Sequence, residues 1–196
     1  MLAKKTLWSK IKSRAADLCL DNKFPGSKLY WERRYARGGN SGAGSYDHLG
    51  QFKAQFINSF VEKYGIQSVI EFGCGDGHQL SQLTLPLYFG VDVSETALAR
   101  CRSLYTNGPT KRFGLRPPQL EKFDLSLSLD VIYHLIEDDV FEQYMRELFE
   151  YSSRFVVIYS SDVDNLTFAE LHGKSAPHVK HRHFTRWVQK NGATGP

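Results

Sequence analysis

The stretch Glu71-Phe-Gly73-Cys74-Gly75-Asp-Gly77 constrains this chain more than any other. It follows a short apolar run, Ser68-Val-Ile-Glu71, and leads into residues 77–84, which can start a helix. Glycines at alternate positions let the backbone turn tightly and let a ligand lie against it. The helix start adds N–H donors that have no partner within the helix. A second apolar run, Leu87–Val91, ends in Asp92, fifteen residues past Gly77. That is about the spacing that sets a carboxylate on a ribose diol.

The rest of the chain repeats the strand-then-helix rhythm. Ser94 can cap a helix carrying Ala97, Leu98, Cys101 and Tyr105. Weak strand character follows at Lys111–Leu115, then a break at Pro117-Pro118. Phe123–Leu129 reads as the fourth strand and Arg154–Tyr159 as the fifth. Between them, Asp139 and Glu142 have capping-box spacing ahead of Tyr144, Met145, Leu148 and Phe149. Before the glycine turn, residues 47–64 form the clearest helix, with Leu49, Phe52, Phe56, Phe60 and Tyr64 read as core and Gly65 as its end. Strands alternating with helices predict an α/β fold, a doubly wound, mostly parallel sheet covered on both faces. Residues 1–46 read as a basic helix and glycine-rich cover segment, and residues 47–196 as the ligand-binding domain.

Length and charge narrow the partners. The 196 residues suffice for one domain with its own core. The net charge of +4 is uneven: residues 1–16 carry +5, so the remaining 180 residues sum to −1. A body of that charge is not a nucleic-acid binder, and no nucleic-acid partner is expected. The arm reads as a helix lying on the domain, with weak contact to a membrane surface as its alternative. Cys19, Cys74 and Cys101 lie far apart without a C-x-x-C, so neither a disulfide framework nor a zinc ribbon is expected, and a cytoplasmic location fits best. His172, His178, His181 and His183 have poor metal-ligand spacing and no nearby carboxylate; they read as a charged, exposed segment, and no metal is expected.

A dinucleotide turn has G-x-G-x-x-G and a pyrophosphate on the helix end. This chain has G-x-G-x-G, and Glu71 stands where it would crowd that phosphate. An acid there suits a cofactor with a positive charge. The acid-led G-x-G-x-G, with Asp92 ending the next strand, resembles motif I of the class I S-adenosylmethionine-dependent methyltransferases. The likeness spans roughly residues 65–160 and extends to Phe123–Leu135. It implies that S-adenosylmethionine is the cofactor, that Glu71, Gly73, Cys74, Gly75 and Gly77 line its methionine side, and that Asp92 and Val93 hold its nucleoside side. The fourth strand of that family ends beside the methyl group, so Asp130 and His134 would face a small-molecule acceptor.

His134 is the candidate base, since an ordinary imidazole titrates near about 6.5, and Asp130 would orient it or the acceptor. The segment Tyr30-Trp-Glu-Arg-Arg-Tyr35 with its glycines looks like the leading segment of small methyltransferases associated with surface polysaccharides and other glycans. The expected activity is methyl transfer to an oxygen of a sugar or glycan intermediate. The alternative is an inactive cofactor-binding protein of the same fold. The 37 residues after Tyr159 hold no two runs of β-formers, so the last one or two strands of the seven-stranded family sheet are expected to be missing, leaving the fifth strand as an open edge.

Overall fold

The computed structural model describes residues 24–106, 109–119 and 121–191. The basic arm, residues 1–16, lies outside the described residues. Five strands form one sheet: β1 Ser68–Phe72, β2 Leu87–Val91, β3 Lys111–Gly114, β4 Phe123–Leu129 and β5 Ser152–Tyr159. All neighbours are parallel, in the order β3-β2-β1-β4-β5. The chain winds outward in one direction through β2 and β3 and in the other through β4 and β5. The ends of β1 and β4 therefore flank the switch point where ligands bind in such sheets. Val69, Ile70, Leu125 and Leu127 are fully buried, as expected of central strands covered on both faces.

One face carries α2, Asp47–Tyr64, and α3, Glu95–Leu104. Ala54, Ile57 and Val61 of α2 and Leu98 and Cys101 of α3 pack there on Val69, Tyr88, Leu125 and Leu127. Ser94 caps α3, its side chain accepting from the Ala97 N–H. Gly65 ends α2 in the left-handed conformation, φ 59°. The other face carries α4, Asp138–Glu150, whose Leu148 and Tyr144 close over Ile70, Phe72, Phe89 and Phe123. After β5 come α5, Asn165–His172, and α6, Phe184–Asn191; among the described residues no strand follows. A further helix, α1 Ser27–Ala36, precedes α2.

Several local expectations are corrected. The segment 77–84 forms only a 3-10 turn, Gln79–Gln82. Helix α4 starts at Asp138, after Glu137 and without a side-chain cap, so Asp139 and Glu142 do not make a capping box. The aromatic stripe of α2 is not its core face. Phe52, Phe56 and Tyr64 are 57%, 51% and 38% exposed, while Lys53, Ala54, Ile57 and Val61 are buried. Two stripes compete on this helix, and the slimmer one lets its backbone approach the sheet. The histidine segment is not a free surface run either. His181 is buried, stacked on Phe168 and hydrogen-bonded to the Ser161 hydroxyl at 2.6 Å.

Two consequences are testable. Trp187 of α6 is buried against Phe149 and donates from its indole to Glu142 at 2.8 Å. Trp187→Ala should destabilise the fold by about 3–5 kcal/mol in urea unfolding. Glu71 is buried within the sheet and accepts from the Tyr88 hydroxyl at 2.5 Å. Burial pushes its carboxyl up to about 7, against that hydrogen bond. From its ordinary 4.5 to about 7 the folded chain holds the proton that the unfolded chain releases, so this group's contribution to stability is lost as pH rises through that window. Unfolding curves across the window should show this slope in the natural chain and a flatter one in Glu71→Gln.

Candidate active site

The cavity at the switch point has a volume of about 1320 Å³. Its floor is the carboxyl ends of three strands: Phe72 and Gly73 after β1, Val91, Asp92 and Val93 at β2, and Leu129, Asp130 and Val131 at β4. Helix α1 and the glycine-rich segment behind it form one wall, through Trp31, Glu32, Tyr35 and Ser41. His134 and Tyr144 line it from the β4 side.

Asp92 is buried, and its two oxygens accept N–H bonds from Gly75 and Ser94, each at 2.9 Å. Burial pushes its carboxyl up to about 6 in spite of these donors. Each oxygen keeps a second lone pair for a ligand hydroxyl. Gly73 has φ 82°, and a Cβ there would lie 2.4 Å from Val131. The open, side-chain-free position at the end of β1 is thus a structural need, and it leaves bare backbone facing the cavity.

The other motif residues stand behind the cavity wall. The carboxylate of Glu71 is engaged by Tyr88 in the core and does not line the cavity, contrary to the expected methionine-side position. Cys74 is packed in the core, where a Cβ on Gly90 would meet its sulfur at 2.9 Å. Gly75 faces the wall: a Cβ there would meet the Ser41 hydroxyl at 2.3 Å and Tyr35 at 2.9 Å. Gly77, φ 80°, backs onto Cys101 and Tyr105.

Asp76, between those two glycines, ties the cover segment down. Its carboxylate accepts from the Ser41 N–H at 3.0 Å, the Ser41 hydroxyl at 2.8 Å and the Tyr46 hydroxyl at 2.9 Å. Burial opposes its charge, yet these donors and the His78 N–H prevail and hold the carboxyl below its ordinary value. Helix α1 is fastened at its middle and at its start. Glu32 accepts from the Ser94 hydroxyl at 2.7 Å and from the Thr96 hydroxyl. At the helix start, Ser27 donates to Glu137 from its N–H at 2.9 Å and its hydroxyl at 2.6 Å. None of these anchors was assigned from sequence. Asp76 stood in plain view inside the glycine motif, but Glu32 and Glu137 have no local signature.

At the end of β4, Asp130 adopts φ 61°, unusual for a residue with a side chain. Its carboxylate is taken by the buried Lys53 at 2.5 Å and by the Tyr133 hydroxyl at 3.0 Å. It does not orient His134. That ring instead donates from Nδ1 to the His178 carbonyl at 3.0 Å, because a carbonyl can only accept. Trp31 packs edge-on against the His134 ring at 4.8 Å. Burial drives the His134 imidazole down to about 4, well below the ordinary range, so it is neutral at pH 7 with Nε2 as its acceptor nitrogen. The histidine segment reaches this site: His178 lies parallel to His134 at 5.5 Å and to Tyr30 at 4.6 Å. Among the described residues no three His, Cys, Asp or Glu side chains converge as metal ligands. No helix among them is long and apolar enough to cross a membrane.

Comparison with known proteins bears on this geometry. Residues 70–153 match the family model described as a methyltransferase domain. The fold is similar to that of the N-methyltransferase NodS from Bradyrhizobium japonicum WM9 in complex with S-adenosyl-L-homocysteine: TM-score 0.62, 14% identity, 84% of this chain and 85% of that one. It is also similar to the methyltransferase domain of bacterial CtHen1, with TM-score 0.56, 20% identity, and 73% and 83% covered. Magnesium protoporphyrin IX methyltransferase from Synechocystis PCC 6803, with bound S-adenosylmethionine, gives TM-score 0.50, 20% identity, and 70% and 77% covered. A search of the curated proteins gives no match. With the glycine turn and Asp92 at the ends of a five-stranded parallel sheet, the chain has the Rossmann-like fold of these methyltransferases, and its residues 70–153 are similar to a methyltransferase domain.

Proposed function

We propose that this chain methylates a hydroxyl of a small sugar or glycan intermediate. The observation that carries the reading is that Asp92 and His134, fifteen and fifty-seven residues past Gly77, line one cavity. The cofactor fits the residues present: Asp92 would accept from the ribose hydroxyls, Val93 would cover the nucleoside, and the bare backbone at Gly73 would admit the amino-acid end. When bound, S-adenosylmethionine supplies a methyl group on a positively charged sulfur. His134 Nε2 would take the proton that the acceptor hydroxyl loses. Trp31 and the His178 carbonyl hold the ring so that this nitrogen is fixed before the acceptor arrives, which is where alignment lowers the barrier. Asp130, already neutralised by Lys53, would shape the acceptor wall. An inactive protein of the same fold finds no support.

One observation favours an amine as the second reading. A histidine held near about 4 draws a proton from a hydroxyl less readily than an ordinary one does. It remains a good acceptor for an amine N–H. The fold neighbour NodS is described as an N-methyltransferase.

Asp92→Ala should weaken S-adenosylmethionine binding at least tenfold by calorimetry, through loss of charged hydrogen bonds worth about 1.5–3 kcal/mol each. Unchanged affinity removes the ribose assignment. Acceptors can be screened by release of S-adenosylhomocysteine, with matched sugars and aminosugars separating the two readings. On the acceptor so found, His134→Ala should lower turnover about 10²-fold or more while cofactor affinity stays within twofold. His134 should add no inflection of its own at the ordinary histidine value of about 6.5, since burial has moved its titration down to about 4, and any inflection at about 6 belongs to Asp92 and should persist in His134→Ala.

A further inference from the structure

We propose that Lys53 sets the charge class of the acceptor: its buried ammonium cancels the Asp130 carboxylate at the end of β4, so the group that receives the methyl enters uncharged. The inference rests on the reading above, that this cavity transfers a methyl group, and it adds which form of acceptor the cavity takes. Lys53 belongs to α2, and its side chain is only 2% exposed. A lysine so deeply buried is found almost only when paired. Its Nζ donates to Asp130 Oδ2 at 2.5 Å and lies 5.3 Å from the centre of the Tyr159 ring. For stability alone an apolar pair would serve as well, since desolvation consumes most of what a buried ion pair gains.

Asp130 is gripped by three parts of the chain and lines the cavity with what remains. Besides Lys53 from α2, the Tyr133 hydroxyl donates to Oδ1 at 3.0 Å. The cover segment presses on the carboxylate with bare backbone: a Cβ on Gly44 would lie 2.5 Å from Oδ2. The Asp130 N–H donates to the Tyr159 carbonyl at 2.8 Å, which ties the residue to the end of β5. The side chain is still 16% exposed, and the residue lines the cavity. Its neighbour Val131 abuts Gly73. Asp130 therefore stands between the bare backbone after β1, which would admit the amino-acid end of the cofactor, and the wall that carries His134.

The sign of the charge at that place matters. An ammonium has no lone pair to give to a methyl group. An unpaired carboxylate close by favours the charged form of an amine, so a bare Asp130 would trap an amine acceptor as its cation. It would also draw a positively charged cofactor in preference to its neutral product. Paired with Lys53, the carboxylate keeps lone pairs that can orient a hydroxyl or a neutral amine, and it brings no net charge.

Calorimetry with S-adenosylmethionine, charged at its sulfur, and S-adenosylhomocysteine, which is not, tests this before any acceptor is known. Lys53→Met should shift the ratio of the two affinities toward S-adenosylmethionine about fivefold or more. Lys53 also pulls the Glu71 carboxyl down against its burial. The decisive comparison is therefore Lys53→Met against Lys53→Met with Asp130→Asn, which differ in the Asp130 charge alone. The second should return the ratio to within about twofold of the natural chain. Asp130→Asn by itself leaves the ammonium unopposed and should shift the ratio the other way, which keeps the test decisive if Lys53→Met fails to fold. With matched sugar and aminosugar, Lys53→Met should bind the aminosugar about tenfold more tightly than the natural chain does, yet methylate it more slowly. A merely structural loss does not produce that split. A ratio unmoved by either single substitution, or an aminosugar bound no more tightly, overturns the proposal. A shifted ratio with tighter aminosugar binding but no turnover on either sugar removes the sugar reading and upholds the charge role of Lys53.

Discussion

The carboxylate of Asp76 is the point on which the site depends. It sits in the glycine turn after β1 and receives three hydrogen bonds from residues 41 and 46, thirty or more positions earlier. A buried carboxylate without such donors would be costly, and donors without it would leave the cover segment loose. The pairing solves both problems and gives the open strand ends one wall of a cavity. Glu32, within α1, and Glu137, at its start, repeat the device, each hydrogen-bonded to hydroxyls and N–H groups. The cover is therefore held by short polar contacts, all of them anchored on the parts of the chain that form the cavity floor.

Acids at this site are sorted by their partners. Asp92 has N–H donors only and keeps lone pairs for a ligand. Asp130 is neutralised by Lys53, so it presents shape more than charge. Glu71 has turned into the sheet, where burial favours its protonated form. Three carboxylates at or next to the carboxyl ends of β1, β2 and β4 thus have three different electrostatic characters, set by what each one touches.

The histidine segment shows how a stretch without local pattern acquires a role. Lys180 donates its N–H to the Tyr133 carbonyl, and Arg182 binds the Ile136 carbonyl at 3.0 Å and Asp138 at 2.8 Å. These bonds lay the segment across the loop after β4 and bring the His178 carbonyl to His134. The imidazole is thereby held in one tautomer, by a residue 44 positions away.

The sequence by itself determined the parallel α/β sheet, the strand and glycine turn at 68–77, the Ser94 and Gly65 helix boundaries and the place of Asp92. Each of these rests on local periodicity, on a cap or on glycine's access to positive φ, and all are written within a few neighbouring residues. Tertiary structure alone decided the rest. Two apolar stripes on α2 have the same helical period, and only the distance to the sheet chose Ala54, Ile57 and Val61 over the larger aromatics. Lys53 carries no signal of burial until Asp130 is placed beside it. The acidity of His134 depends on how much water its neighbours exclude, and the direction of Glu71 on a tyrosine in the next strand. Those are properties of contacts between distant segments, and no spacing along the chain encodes them.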